Sequence, residues 1–399
     1  MRITATGATA LSTVDAYGTA RSSPLLPGLT LVHADLHNHS RLSDGAGNPA
    51  DAFDSMRRSG LDVGALTDHA NLATPIGDLL DGPVASLFGG IDAKAWRRLG
   101  ELAELANDEG RFVALRGFEW SHPVLGHVSV WGTQRYTHPL KAFRVDMDRF
   151  YDWLTRDDGG SEGLAGFNHP GGRDAGRFAG FRYHAGLGRR LVSLEMFNKV
   201  DEYLFAGTDE GQDSPLTACL AAGWRPALTG VSDEHGDDWG VPEGKGRAGL
   251  YVTELTRAGV REALLARRTF ASRVKGLRLA ATLDGVPMGG TVAHRRGPVT
   301  VDVDLDLGPE SWGSPLSVQV LVPGSGPPGI AAAVDVRVPR PGDPGLRIPV
   351  QLDAEVHPWA VVRVSDPGQP ADFRASGDYV ALGRSIAFAS PFWLEPAGS

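Results

Sequence analysis

Seven short segments of this chain carry histidines and carboxylates in a pattern suited to holding divalent cations. They are His37-Asn38-His39-Ser40, Ser43-Asp44-Gly45, Thr67-Asp68-His69, Gly117-Phe118-Glu119, Gly126-His127, Asn168-His169-Pro170 and Ser232-Asp233-Glu234-His235. Imidazole nitrogen mixed with carboxylate oxygen suits zinc, manganese or iron, and the sequence does not choose among them. His37 and His39 stand two apart at the end of an extended run, so both project from one face and can reach one ion. Asp233 and His235 repeat that spacing. Glu119 has two oxygens with which to bridge two cations. Asp68 can orient the imidazole of His69, bind metal or shuttle a proton. Pro170 restrains the chain beside His169. Taken singly, each segment has an ordinary explanation, a helix cap or a satisfied polar residue. Taken together they do not, because ten of the twelve histidines fall between residues 33 and 235 and six of those lie in these segments.

A cluster of this kind lowers the pKa of a bound water to about 7. The expected nucleophile is therefore a metal-bound hydroxide attacking phosphorus or a carbonyl carbon, with the cations stabilising the developing oxyanion. Asp68, Glu119 and Asp233 are the candidate catalytic carboxylates. No Gly-x-Ser-x-Gly elbow offers a side-chain nucleophile. The single cysteine, Cys219, reads as a small apolar residue buried in a helix. An anionic substrate would need cations besides the metals. The candidates are Arg173, Lys199 and Arg247. Trp239, in a loop expected over 236–249, is a candidate cover for the substrate. His33 is expected to be structural, His122 and His138 to lie in loops, and His294 and His357 to lie on the surface.

The elements that must deliver these residues change character near residue 276. Before it, short apolar runs alternate with helical patterns, the signature of βα units. The spacing predicts strands over Leu31–Leu36, Asp62–Thr67, Phe112–Phe118, His127–Trp131, Leu164–Phe167, Leu191–Phe197, Ala227–Val231 and Gly249–Thr253. Asn48-Pro49 opens a helix that Gly60 ends, and Asp92 opens another that Gly110 closes. Ser214-Pro215 and Thr256 open two more. After residue 276 the helical period vanishes. Runs at Val299–Leu307, Ser317–Val322, Ala333–Val338, Trp359–Val364 and Tyr379–Leu382 read as strands of a small sandwich, with a Gly/Pro-rich loop from Val322 to Gly329. The expected organisation is an N-terminal segment (1–30), a metal-dependent hydrolase domain (31–275) and a β-sandwich-like domain (276–399).

Of the 399 residues 42% are hydrophobic, ample for a buried core and more than one domain. The net charge is −9, without a basic tract, so no nucleic-acid partner is expected. A phosphate-bearing small molecule remains compatible, because bound cations dominate the local field. One cysteine allows no intramolecular disulfide. Residues 1–30 lack the pattern of a signal peptide, and no apolar stretch approaches membrane-spanning length. The expectation is a cytoplasmic enzyme acting on a small molecule, with no membrane partner; the oligomeric state is not legible.

The ordered set His-x-His-Ser, Ser-Asp-Gly, Thr-Asp-His, Gly-x-Glu, Gly-His, His-Pro and Ser-Asp-x-His resembles the PHP (polymerase and histidinol phosphatase) superfamily over about residues 31 to 275. The run Glu254-Leu255-Thr256-Arg257-Ala258 into a helix resembles its carbaryl-hydrolase, CehA/McbA-type branch. So do Arg268-Thr269-Phe270-Ala271-Ser272, the trailing β segment and the ending Ala389-Ser390-Pro391-Phe392-Trp393. The resemblance implies an α/β fold, a distorted, TIM-like (βα)7 barrel, with two or three divalent ions of manganese, zinc or iron. It implies that His37, His39, Glu119 and Asp233 hold a first ion, Glu119, His127 and His169 a second, and Asp44, His69 and His235 a third. Some members carry histidine where Asp44 stands, which leaves the third position open. No polymerase segment is present. The function implied is a metal-dependent hydrolase, a phosphoesterase on a small phosphorylated molecule. The alternatives are hydrolysis of an aryl ester, carbamate or amide at the same centre, and a non-catalytic scaffold that binds metal or ligand. The presence of Glu119 and Asp233 argues against the last.

Overall fold

The structure, a computed structural model, describes residues 11–71, 90–139, 146–171 and 177–396. Strand β1 (Thr30–Asp35) leads through helix α1 (Pro49–Arg58) to β2 (Val63–Leu66) and the short β3 (His69–Ala70). Helix α2 (Ala93–Ala106) precedes a hairpin of β4 (Val113–His122) and β5 (Gly126–Trp131). Then come α3 (Met147–Thr155), β6 (Leu164–Phe167), the single turn α4 (Phe178–Phe181) and β7 (Leu191–Asn198). They are followed by β8 (Asp201–Glu202), α5 (Pro215–Ala221), β9 (Ala227–Val231), β10 (Arg247–Val252), α6 (Arg257–Leu265) and β11 (Thr269–Ser272). The helices start where the sequence places their caps. The side chains of Asn48, Asp92, Ser214 and Thr256 each accept a backbone N–H in the first turn.

This is a mixed α/β fold built on one large mixed sheet. Parallel ladders join β1 to β2, β2 and β3 to β4, β6 to β7, and β7 to β9. Strand β5 runs antiparallel to both β4 and β6. It departs from βα alternation because the turn from His122 to Gly126 is too short to hold a helix. The ladder then returns to its start. Asn38 and Glu234 form a parallel bridge, Asp233 N–H donates to His37 O at 3.0 Å, and His39 N–H donates to Glu234 O at 2.9 Å. The residues that close the ring are thus the neighbours of the expected metal ligands.

Alternation along the strands separates two buried layers. Val32, Ala34, Val63, Ala65, Val113, Leu164, Val192 and Val231 gather with Val260, Ala263 and Leu264 of α6. Leu66, Phe118, Val128, Val130 and Leu194 pack instead against α1, α2, α3 and α5. Glu119 shares the face of Val113, six residues earlier in an unbroken stretch of β4. Among the described residues no helix is long and apolar enough to cross a membrane.

The remaining chain supplies β12 (Arg278–Leu283), β13 (Val286–Pro287), β14 (Thr291–Ala293), β15 (Arg296–Asp306), β16 (Pro315–Val322) and β17 (Gly329–Arg337). It ends with β18 (Leu346–Asp353), β19 (Trp359–Asp366), α7 (Asp378–Leu382), β20 (Arg384–Ala389) and β21 (Phe392–Glu395). Strands β13, β12, β15 and β18 form a separate sheet. Its inner face (Leu279, Val301, Val303, Ile348, Val350) is buried against Val318, Val320, Val362 and Val364 of the other layer. That second layer, β17-β16-β19-β20, continues into the large sheet through the antiparallel pair β20–β11. One expected strand is a helix. Tyr379–Leu382 lies in α7, between Gly377 and Gly383. Its run shows no alternation of burial: Tyr379 is buried, with its hydroxyl on Pro328 O at 2.8 Å, while Val380 and Ala381 are both exposed.

Candidate metal centre

All nine donors expected to bind metal meet at one end of the ring. Three overlapping groups each have ligand atoms within 4.8 Å of one another: His37, His39 and Asp233; His69, Glu119 and His127; and His39, Asp44, His69 and His235. Glu119 is the hub. Its Oε1 lies 3.2 Å from His37 Nε2, 3.1 Å from His127 Nδ1 and 3.2 Å from His169 Nε2. Its Oε2 lies 2.7 Å from His69 Nδ1 and 3.6 Å from His39 Nε2. Asp233 Oδ1 is 3.1 Å from His39 Nε2 and 3.5 Å from His37 Nε2. Asp44 Oδ2 is 3.4 Å from both His69 Nε2 and His235 Nε2.

Strand pairing explains this convergence. Glu119 was expected at a strand end but sits inside β4, which runs on to His122 because it pairs with β3 on one side and β5 on the other. That register sets His69 opposite Glu119 and His127 opposite Ser121. His169 and Asp233 follow the ends of β6 and β9 with φ of 27° and 47°, left-handed conformations that non-glycine residues seldom adopt. Backbone strain of this kind persists where surrounding structure over-determines it, commonly at functional sites.

The donor set fits cations. His37 Nδ1 is 2.9 Å from Glu195 Oε1, and a carboxylate only accepts, so one proton sits on Nδ1 and Nε2 is the nitrogen a neutral ring would turn to a cation. That nitrogen faces His39 Nε2 at 3.0 Å. Two such nitrogens need a proton or a cation between them. His39 Nδ1 and Asp233 Oδ1 are buried, and among the described residues no hydrogen bond reaches either.

Without metal, protons take up part of this role. Burial pushes the Glu119 carboxyl up, but His127, His37 and His69 together hold it well below the ordinary carboxylate range. Burial likewise opposes ionisation of Asp233, which His37 and His39 overcome. His69 is raised to about 10, as Glu119 and Asp44 outweigh its burial. His39, fully buried and facing the His69 cation, is lowered to about 3.

A second layer of residues holds the candidate ligands, and sequence reading missed its main member. Glu195, buried in β7, binds His37 through Oε1; its Oε2 accepts from His169 N–H at 2.7 Å and from Asn198 Nδ2 at 2.9 Å. The available signal was a lone carboxylate in the apolar run Leu191–Asn198. Asn168 Nδ2 donates to Glu119 Oε1 at 2.7 Å and to Ser129 Oγ at 2.9 Å. Asp68 is engaged by the loop before α1. Its carboxylate accepts from Ser40 N–H (2.8 Å), Ser40 Oγ and Ser43 Oγ (2.7 Å), pinning the loop that carries Asp44, and burial raises its pKa to about 6.

Trp239 is not a cover. The indole is fully buried and its Nε1–H donates to His39 O at 2.9 Å, so it braces a ligand from behind. The expected loop over 236–249 gives way to strand β10 at Arg247. His33 is structural as expected, with Nε2 2.9 Å from Asp15 Oδ2. His122 Nδ1 accepts the N–H groups of Val124 and Leu125 in the β4–β5 turn.

The three candidate substrate cations separate. Arg173 lies outside the described residues. Arg247 is buried and turned to Gly240 O, away from the cluster. Lys199 reaches it: Nζ stands 3.3 Å from Asp233 Oδ2, with the side chain 45% exposed and so open to a ligand.

No family model matches the chain, and no curated protein matches it. Solved structures do. A two-domain protein from Bacteroides vulgatus, described as containing a predicted PHP-like metal-dependent phosphoesterase, is 16% identical with a TM-score of 0.47, over 93% of this chain and 98% of its own. PsfC from Pseudomonas syringae is 15% identical with a TM-score of 0.35, over 55% of this chain and 82% of its own. An amidohydrolase from Chromobacterium violaceum, with sulfate and no metal, is 14% identical with a TM-score of 0.27, over 51% and 87%. At these values the likenesses carry no inference about chemistry, which rests on the site's own residues.

Proposed function

We propose that this chain is a metal-dependent hydrolase of the PHP superfamily, of the CehA/McbA-type branch, that cleaves the phosphoester bond of a small phosphorylated molecule in the cytoplasm. One observation supports the reading above others. Both oxygens of a single buried carboxylate, Glu119, are flanked by imidazoles from separate strands and loops, an arrangement suited to a bridge between two cations. The ring of ladders with its β4–β5 hairpin is the distorted barrel of that superfamily on this reading, and the chain after residue 276 is a β-sandwich-like domain joined to it through β11 and β20.

His37, His39, Glu119 and Asp233 would hold one ion, Glu119, His127 and His169 a second, and Asp44, His69 and His235 a third. Divalent ions held there supply a water of lowered pKa and stabilise negative charge in the transition state. The chain's own residues do the rest. Glu195 keeps the proton of His37 on Nδ1 and turns Nε2 inward. Asn168 fixes the rotamer of Glu119. Lys199 offers an ammonium at the rim, where a phosphate oxygen can meet it, and this cation favours the phosphoester over an aryl ester, carbamate or amide.

Hydrolysis of matched nitrophenyl substrates by manganese-loaded protein tests the reading, with Asp233→Asn alongside. The expected result is turnover of the phosphate monoester, lost in the variant. Turnover of the carboxylate ester or carbamate alone would move the activity to carbonyl chemistry. Silence on every substrate, with metal content confirmed, would favour a binding scaffold.

A further inference from the structure

Lys199 sits in a two-residue turn, Lys199-Val200, between β7 and β8, where Phe197 pairs with Glu202 and Asn198 with Asp201. Its φ of 52° is the left-handed value that such tight hairpins require. One side of this hairpin is tied to the metal centre. Lys199 N–H donates to Val231 O at 3.2 Å, Gly246 N–H donates to Lys199 O at 3.0 Å, and Nζ meets Asp233.

The other side is gripped from far along the chain. Glu202 is buried, and its carboxylate accepts from Ser385 Oγ, which itself accepts from Arg363 Nε at 2.7 Å. Arg363, fully buried, places its other donors on Gln319 Oε1 (2.8 Å) and Gly383 O (2.7 Å). Arg374 Nη2 donates to Glu202 O at 2.8 Å while Asp372 holds the same guanidinium. Arg273 stands 3.7 Å from Glu202 Oε2 and lies over the ring of Phe197. A buried ionic network gives little net stability over an apolar contact of equal volume. What this one gives is direction, since each donor fixes the place of its acceptor. All of the grip except Arg273 comes from the β-rich chain after residue 276.

We propose that this β-rich part is a working part of the site: by clamping Glu202 it holds the Lys199-Val200 turn, and with it the Lys199 ammonium, at the rim of the metal centre, where that ammonium meets the anionic group of the substrate. Glu202, Ser385 and Arg374 are positioning residues, and Lys199 is the group they position. The substrate contact rests on the phosphoester reading; the clamp does not.

Ser385→Ala removes the hydroxyl between Arg363 and Glu202 with little change of volume, and Arg374→Gln removes the grip on the Glu202 carbonyl. Hydrogen exchange, followed by mass spectrometry, reads the hairpin directly. Both variants are expected to raise exchange over residues 198–205 at least threefold while β1 stays unchanged. Unchanged exchange in both overturns the clamp. Inorganic phosphate binding to the manganese-loaded protein, by calorimetry, reads the positioning. Lys199→Met is expected to weaken it about tenfold, a loss of about 1.4 kcal/mol. Ser385→Ala should move it the same way, and the double variant should bind no more weakly than Lys199→Met alone, because the two act through one group. Independent, additive losses, or full phosphate affinity in Ser385→Ala, overturn the positioning role. A native protein that does not bind phosphate removes the phosphoester reading, and the exchange result then decides the clamp by itself.

Discussion

Glu195 decides what His37 can be. By accepting the Nδ1 proton it leaves Nε2 free for a cation, and by accepting His169 N–H it ties a second ligand to the same carboxylate. Glu195→Gln would turn an amide N–H toward the Asn198 amide or the His169 N–H. The expected result is a 10- to 100-fold loss of metal affinity with all nine ligands intact, read by competition with a chelator; unchanged affinity would remove Glu195 from the site. Metal and pH are coupled through the same residues. A histidine raised on folding from 6.5 to about 10, as His69 is, stabilises the metal-free fold fully below pH 6.5, and that contribution is lost as pH rises toward 10. Metal binding requires the neutral imidazole. The rise in Tm on adding manganese should therefore grow between pH 6.5 and 9, and a constant rise would contradict the charge state assigned to His69. The nine candidate ligands were legible because each sits in a short polar motif at an apolar run's end. Glu195 was not, since its partner His37 lies 158 residues away in sequence and nothing beside it hints at chemistry.

At the scale of elements, the loop Ser40–Gly47 and the indole of Trp239 form one unit. Asp68 ties the loop at Ser40 and Ser43, and a Cβ at Gly47 would collide with the Trp239 ring. Trp239→Phe keeps the aromatic packing but leaves the buried His39 carbonyl without its donor. It should cost about 1–3 kcal/mol in urea unfolding and loosen metal held near Asp44, His69 and His235. A stability loss under 0.5 kcal/mol would show that the indole N–H is not a brace. Position alone suggested a cover, because a tryptophan in a glycine-rich stretch after Asp233 looks exposed until its partner, 200 residues earlier, is known. Strand extents failed for a related reason. The polar residues Glu119, Ser121 and His122 seemed to end β4, whereas pairing with β3 and β5 extends it. Helix starts succeeded because their signals, Asn48-Pro49 or Ser214-Pro215, are local.

Across the whole molecule, the change of period near residue 276 marks where strands come to dominate, with α7 a short exception, yet hydrogen bonding runs through it. Strand β11 pairs with β10 on one side and β20 on the other, and Ser390 reaches back to Thr269 and Leu228. Arg363 stands beside this seam. Arg363→Met would strip the donors from Ser385, Gln319 and Gly383 O and leave Arg273 as the guanidinium facing the Glu202 carboxylate, with Ser385 still its hydroxyl donor. A loss of about 3–5 kcal/mol is expected, measured by denaturant unfolding of metal-loaded protein; a loss below 1 kcal/mol would show that Glu202 needs no such partner. The periodicity of single strands could not reveal the seam, because a strand's sequence states its period and not its neighbour.

The distance along the chain between β11 and β20 has a consequence in time. During synthesis, Thr269–Ser272 leaves the ribosome before Arg384–Ala389 exists. About 110 residues separate them, so at 5–20 residues per second the far edge of β11 waits roughly 6–20 s for its partner. For that interval the nascent chain offers an open edge of backbone donors and acceptors to any neighbour. The yield of native protein should then depend on translation speed and on chaperones that shield that edge.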